Sequence, residues 1–268
     1  MDQTTKAGQF AALHRSAEIL VLPNAWDAAS AAIMEDAGAK AVATSSAAVA
    51  WAHGYPDGDA LPVATLATAI AAIARVVSVP LTADIEGGYT DDLAQLGDTI
   101  RAVIGAGAVG INLEDGLRDP DLHARKIEAA RKAADAAGVP LFINARTDVY
   151  LRGLAEGQAA FLESVARAER YRSAGADGIF VPGPKDADLI GRLASEIALP
   201  LNVMLQPGVP PAARLQALGA RRFSSATAPF RAAYGTLVQA IGPYLADGDF
   251  TAFAAGAAGL SNLNKRFA

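Results

Sequence analysis

The sequence predicts an α/β protein, a (β/α)8 barrel of the TIM type that carries extra helices at its C-terminal end. Three observations predict it. Short apolar runs recur eight times along the chain, and a polar residue closes nearly every one. Each run is followed by an Ala-rich stretch of helix length with 3.6-residue spacing. The chain has 268 residues, close to the roughly 250 of a single such barrel. The alternation implies parallel strands with right-handed crossovers. A doubly wound sheet uses the same elements, but the count of eight and the polar strand ends favour closure.

In chain order the predicted strands are "ILVLPN" (19–24), "AVATS" (41–45), "PLTADIE" (80–86), "VGINLE" (109–114), "PLFINAR" (140–146), "DGIFVP" (177–182), "PLNVM" (200–204) and "RRFSS" (221–225). Between them lie helices such as "AASAAIMEDAG", "LAQLGDTIRAVIGAG", "ARKIEAARKAADAAG" and "FLESVARAERYRSAG", each closed by the Gly that commonly ends a helix. Asp27 is expected to cap the first of these, and Thr90, Asp91 and Asp92 suit the start of the next. Residues 1–239 are expected to form the barrel domain. Residues 240–268 continue as helix, an apolar extension that needs a surface to cover on its own barrel or on a neighbouring subunit.

Composition narrows the function classes. Hydrophobic residues make up 52% and charged residues 19%, enough apolar surface for a sizeable core. With a net charge of −5 and scattered Lys and Arg, no polyanion-binding face is expected, and nucleic acid is set aside. Cysteine is absent, which excludes disulfides, thiolate metal sites and a thiol nucleophile. The longest apolar region, 60–83, is interrupted by Pro62, Arg75 and Pro80. With no N-terminal run of signal-peptide length, a cytoplasmic protein without a membrane partner is expected.

Barrel sites gather at the C-terminal strand ends. Those ends read Asn24, Thr44-Ser45-Ser46, Asp84 and Glu86, Glu114, Arg146, Pro182, Asn202 and Ser224. Strand alternation puts Asp84 and Glu86 on one face, and Glu114 ends the adjacent strand. Three convergent carboxylates repel one another unless a cation sits among them. An all-oxygen set without His or Cys points to Mg²⁺, with Mn²⁺ as the alternative. The other reading of the same residues is structural, with Glu86 and Glu114 paired to Arg146 or to backbone amides.

Taken together, "TADIEGGY", "GINLEDG" and "INARTD", preceded by "ATSSAAVAWAHGYPDG", resemble the isocitrate lyase/phosphoenolpyruvate mutase superfamily from about Val21 to Tyr234. The resemblance implies that Asp84 is a direct Mg²⁺ ligand and that Glu86 and Glu114 hold metal-bound waters, Glu86 standing where Asp is usual. It implies that Ser45 and Ser46 grip a substrate carboxylate and that Asp57 is a mobile acid over the site. Arg146 would steady the substrate oxygen, Asn202 would contact a carboxylate, and Tyr89 would be a minor contact. It also implies a homodimer or homotetramer whose last helices swap between subunits. Asp57, Arg146 and Ser46 are thus the expected catalytic residues.

The chain also departs from that pattern. The superfamily's lyases carry a Lys-Lys-Cys-Gly-His loop after the fourth strand and the mutases carry Lys and Asn there. The counterpart here, "EDGLRDPDLHARKIEAA", is short and has neither. Pro182 and Met204 stand where relatives have polar residues that hold the distal part of a substrate. Arg118, His14 and His123 read as surface or helix residues, and Asp115 and Asp148 as residues bonding neighbouring loops. The expected activity is Mg²⁺-dependent cleavage of a small 2-oxo acid, such as oxaloacetate, pyruvate or 2-oxoglutarate, through an enolate by decarboxylation or hydrolysis. The alternatives are an isocitrate- or 2-methylisocitrate-type lyase using a non-Cys acid such as His53 or Asp57, and a non-catalytic 2-oxo acid binding protein.

Overall fold

A computed structural model describes all 268 residues. The elements run α1 (Gln3–Arg15), β1 (Leu20–Leu22), β2 (Asn24–Ala25), α2 (Ala28–Asp36), β3 (Val42–Thr44), α3 (Ser46–Ala52), α4 (Val63–Val76), β4 (Leu81–Asp84), α5 (Leu93–Gly105) and β5 (Gly110–Glu114). They continue as α6 (Pro120–Ala136), β6 (Phe142–Arg146), α7 (Gly157–Ser173), β7 (Gly178–Phe180), α8 (Ala187–Glu196), β8 (Leu201–Met204), α9 (Ala212–Ala217) and β9 (Arg222–Ser224). Three helices end the chain: α10 (Ala228–Asp247), α11 (Thr251–Gly256) and α12 (Leu263–Phe267).

All pairings are parallel, in the order β1-β9-β8-β7-β6-β5-β4-β3-β2. The first predicted strand is divided at Pro23, which has no N–H to give a ladder. Its halves face opposite ways round the ring: β1 pairs with β9 and β2 with β3. That split strand closes the barrel. All eight predicted strands are present, and Asp27 caps α2 by accepting the Ser30 N–H at 2.7 Å.

Helix α1 plugs the N-terminal end. Phe10 meets the Phe142 ring edge-on at 5.4 Å, and His14 stacks on the same ring at 4.0 Å. Gly110 lies beneath Phe10, where a Cβ would fall 2.7 Å from the ring. His14 and His123 lie on helices, as expected, but not at the surface: both are buried, and burial together with nearby cations pulls their pKa values to about 3.

In parallel pairing, residues in register point to the same side. One inward layer is Asp84, Asn112, Asn144 and Gly178; the next includes Glu114, Arg146, Phe180, Asn202 and Arg222. The lower layer is a polar interior: Asn144 donates to Asn112 Oδ1 at 2.9 Å, and so does the fully buried Arg222 at 3.1 Å. Burial lowers the Arg222 pKa to about 9.

Helix α10 runs unbroken from Ala228 to Asp247, so the expected boundary at 239/240 falls inside a helix. Only Ala240 of α10 is buried, while Tyr234, Leu237, Val238, Ile241, Tyr244 and Leu245 are exposed. At the end of the chain Arg266 pairs with Glu35 at 2.6 Å and Asp36 at 2.8 Å on α2. No helix is long and apolar enough to cross a membrane.

Candidate active site

Strand β4 delivers Asp84 to the C-terminal mouth of the barrel. Its backbone N–H donates to Thr44 Oγ1 at 2.8 Å, tying it to β3. The next residues of the β3 segment cradle its carboxylate. Ser46, the first residue of α3, donates its hydroxyl to Asp84 Oδ2 at 3.1 Å and its N–H at 3.4 Å. Ser45 caps α3, its hydroxyl oxygen accepting the Ala48 N–H at 3.5 Å. The start of α3 therefore abuts the Asp84 carboxylate, to which it gives its first N–H.

Arg146 reaches the same mouth from β6. Its Nη1 lies 2.5 Å from Glu114 Oε2, and its Nε and Nη2 donate to the two oxygens of Asp148 at 2.6 and 3.0 Å. The bidentate grip fixes the plane of the guanidinium. Asp148 is fully buried and is held in turn: its N–H donates to Asp115 Oδ1 at 2.9 Å, while Asp115 Oδ2 accepts from Arg167 at 2.8 Å and Tyr171 at 2.7 Å. Asp115 and Asp148 do bond neighbouring loops, as the sequence suggests. Their role in orienting Arg146 is what the sequence reading missed; the Arg-x-Asp spacing of "ARTD" was the available signal.

Glu86 departs from expectation. Strand β4 stops at Asp84, and Glu86 takes a φ of +51°, so strand alternation no longer sets its direction. Its carboxylate turns toward segment 57–59, accepting the N–H of Gly58 at 2.8 Å and that of Asp59, with the Tyr89 hydroxyl donating at 3.2 Å. Glu86 and Glu114 thus adopt the amide-bonded and Arg-paired arrangements. Nowhere in the protein do three or more His, Cys, Asp or Glu side chains gather closely enough to cage an ion. Of the three carboxylates, the expected direct ligand Asp84 is held only by Ser46 and the Glu86 N–H, whereas Glu86 bonds segment 57–59 and Tyr89, and Glu114 pairs with Arg146.

That environment still fits a dication. Burial pushes Asp84 above the usual carboxylate range despite Arg146. Burial, reinforced by neighbouring carboxylates, pushes Glu86 to about 7, and it pushes Glu114 to about 8. Such a surplus of acidic groups is relieved by a positive charge. Mg²⁺ usually keeps several waters and needs only one or two direct carboxylates. The residues present fit an ion held directly by Asp84 and otherwise by water.

Asp57 is exposed on the segment over the mouth, and its charge adds to the upward push on Asp84, Glu86 and Glu114. His53 ends α3 exposed, its Nδ1 2.9 Å from Val49 O. Asn202 is fully buried in the barrel wall, its Nδ2 donating to Ser224 Oγ at 3.2 Å. Arg118 is not a solvated surface residue: it pairs with Asp59 at 2.8 Å and Asp91 at 2.6 Å. The ends of β7 and β8 also bring apolar side chains. Phe180 lies under the Arg146 guanidinium at 5.6 Å, Pro182 is buried, and Met204 lines a cavity of about 640 Å³ with Leu205, Gln206, Pro207, Thr227 and Arg231.

Residues 10–244 match the family model described as phosphoenolpyruvate phosphomutase. An uncharacterized protein of Mycobacterium tuberculosis is 37% identical over 228 residues, 82% of either chain. An oxaloacetate decarboxylase of Paraburkholderia xenovorans is 30% identical over 202 residues, 73% of this chain and 66% of that one. A crystal structure from Burkholderia cenocepacia J2315, described provisionally as a phosphonomutase, superposes with a TM-score of 0.85 at 40% identity, covering 90% of this chain and 98% of the other.

Proposed function

The chain belongs to the phosphoenolpyruvate phosphomutase family, within the isocitrate lyase/phosphoenolpyruvate mutase superfamily of enzymes, and from that premise we propose that it cleaves a carbon–carbon bond beyond the carbonyl of a small 2-oxo acid, in a divalent-metal-dependent reaction passing through an enolate. One observation carries the reading: Asp84, cradled by Ser46, shares the mouth of the barrel with an Arg146 locked between Glu114 and Asp148. Identity to an oxaloacetate decarboxylase supports oxaloacetate as the first substrate to try.

Asp84 would hold Mg²⁺ directly, with Mn²⁺ as the alternative, and Glu86 and Glu114, both of which feel the Asp84 charge, would bond its waters. When bound, such an ion acts as a Lewis acid toward a keto oxygen and an adjacent carboxylate oxygen. The remaining work falls to the chain. The Ser45 hydroxyl, at the start of α3, would receive the substrate carboxylate, with Ser46 shared between it and Asp84. Arg146 presents a fixed positive charge where negative charge gathers as the bond breaks, an effect typically worth roughly 10²–10³ in rate. Asp57, exposed above the mouth, would pass a proton from water to the enolate carbon. Phe180, Pro182 and Met204 give the leaving portion a partly apolar wall, which favours a small 2-oxo acid over a tricarboxylate.

Proton NMR of oxaloacetate, pyruvate and 2-oxoglutarate, each with the protein and with or without Mg²⁺, tests this. Turnover of one of them that requires Mg²⁺ is expected. Tight binding with spectra unchanged after hours would make the protein a 2-oxo acid binder and defeat the enzymatic reading.

A further inference from the structure

Three of the four non-glycine residues with positive φ, Asp59 (+59°), Glu86 (+51°) and Tyr89 (+63°), lie in two segments that face each other beside the candidate site. Such conformations persist only where the surroundings over-determine them. Here the two segments bind reciprocally. The Glu86 carboxylate accepts the N–H groups of Gly58 and Asp59, and the Asp59 carboxylate accepts those of Gly87 at 3.1 Å and Tyr89 at 3.2 Å. Each carboxylate therefore closes the backbone of the other's segment.

Arg118 completes the clamp from outside. It leaves the short connection between β5 and α6, donates to the second Asp59 oxygen at 2.8 Å and to Asp91 at 2.6 Å, and lies against Gly87. A Cβ at Gly87 would fall 2.2 Å from its Nη1 and displace it. Asp91 is anchored in turn by Lys126 at 2.8 Å, whose side chain has no exposed surface and which also donates to Thr90 O at 2.7 Å. Without Arg118, one Asp59 oxygen would lose its charged partner and the clamp its tie to α6.

We propose that Arg118 is a positioning residue: by pairing with Asp59 it locks segment 57–59 onto the 86–89 turn and so fixes Asp57 above the mouth of the site. The clamp stands on these contacts alone; its catalytic consequence rests on the function proposed above. A connection too short to carry a catalytic loop serves instead to hold down the neighbouring one.

Amide hydrogen exchange on the full chain tests the clamp, comparing wild type with Arg118→Gln and Arg118→Lys. In Arg118→Gln the Gly58, Asp59 and Tyr89 amides are expected to exchange about tenfold faster or more, the scale of losing one charged hydrogen bond. Amides of the barrel strands are expected to be unchanged, and Lys to restore part of the protection. Equal exchange at Gly58 and Asp59 in wild type and Arg118→Gln overturns the clamp. With oxaloacetate and Mg²⁺, Arg118→Gln is expected to lower kcat about tenfold with little change in KM, and an unaltered kcat overturns the positioning role. Should the wild type turn over none of the 2-oxo acids, the proposed reaction falls while the exchange comparison still decides the clamp.

Discussion

Glu114 and Arg146 are register partners on β5 and β6, and their side chains meet at 2.5 Å one layer above the Asn112–Asn144 pair. Arg146 has a second carboxylate in Asp148, so a charge that would be costly to bury is compensated on two sides. It faces the site already oriented. That preorganisation is what a group stabilising transient negative charge requires.

Arg146→Lys is predicted to lower kcat for 2-oxo acid cleavage by roughly 10²–10³ while leaving the fold intact. Lysine keeps the charge but cannot make the fork to Asp148. Steady-state rates with oxaloacetate and Mg²⁺ check this; a rate within about threefold of wild type would remove Arg146 from the mechanism.

Asp148→Asn should act through Arg146. The side chain is fully buried and lies 2.6 Å from Arg146 Nε. Breaking one member of a buried charged network costs about 3–5 kcal/mol. Urea denaturation should show a loss on that scale, together with a fall in kcat. Unchanged stability would mean that the Asp115–Asp148–Arg146 chain does not carry the load assigned to it.

Acid should weaken the fold through His14 and His123. Their ordinary pKa is 6.5, and burial with nearby cations lowers both to about 3. Between those values the unfolded chain binds protons that the folded chain does not. The contribution is therefore complete above pH 6.5 and is lost as pH falls toward 3, at up to about 1.4 kcal/mol per pH unit for each histidine. His14→Phe should flatten the pH dependence of unfolding free energy by about one proton between pH 6 and 4. Parallel curves for variant and wild type would contradict the burial of a neutral His14.

The bare stripe on α10 predicts self-association. Tyr234, Leu237, Val238, Ile241 and Leu245 recur at helical spacing and are all exposed, with Leu245 at 75% and Val238 at 72%. Apolar patches of this kind mark interaction sites. Sedimentation velocity should find a dimer or tetramer, and Val238→Asp with Leu245→Asp should release monomers. A monomeric wild type at micromolar concentration would rule out the subunit-crossing role of the extension.

Much of this was legible in the sequence. The strands were, because β-branched runs bounded by Gly and Pro have few other homes, and strand-end polarity located Asp84, Ser46 and Arg146 together. Alternation misdirects Glu86 because it presumes a continuing strand, whereas the chain turns after Asp84 with Glu86 and Gly88 at positive φ. The pairing of Arg118 is not legible in sequence because its partner Asp59 lies 59 positions away, and no local pattern records such a contact. His14 and His123 sit on helices where inward and outward histidines look alike. The orientation of Arg146 by Asp115 through Asp148 depends on α7 packing, which becomes visible only in three dimensions.

Calorimetric titration of pyruvate into wild type and Asp84→Ala, each with and without Mg²⁺, tests the central claim most directly. Binding is expected only for the wild type with Mg²⁺ present, with no measurable heat for Asp84→Ala under either condition. Pyruvate binding that is the same in both proteins, or indifferent to Mg²⁺, would contradict the claim that Asp84 holds the ion on which a 2-oxo acid assembles.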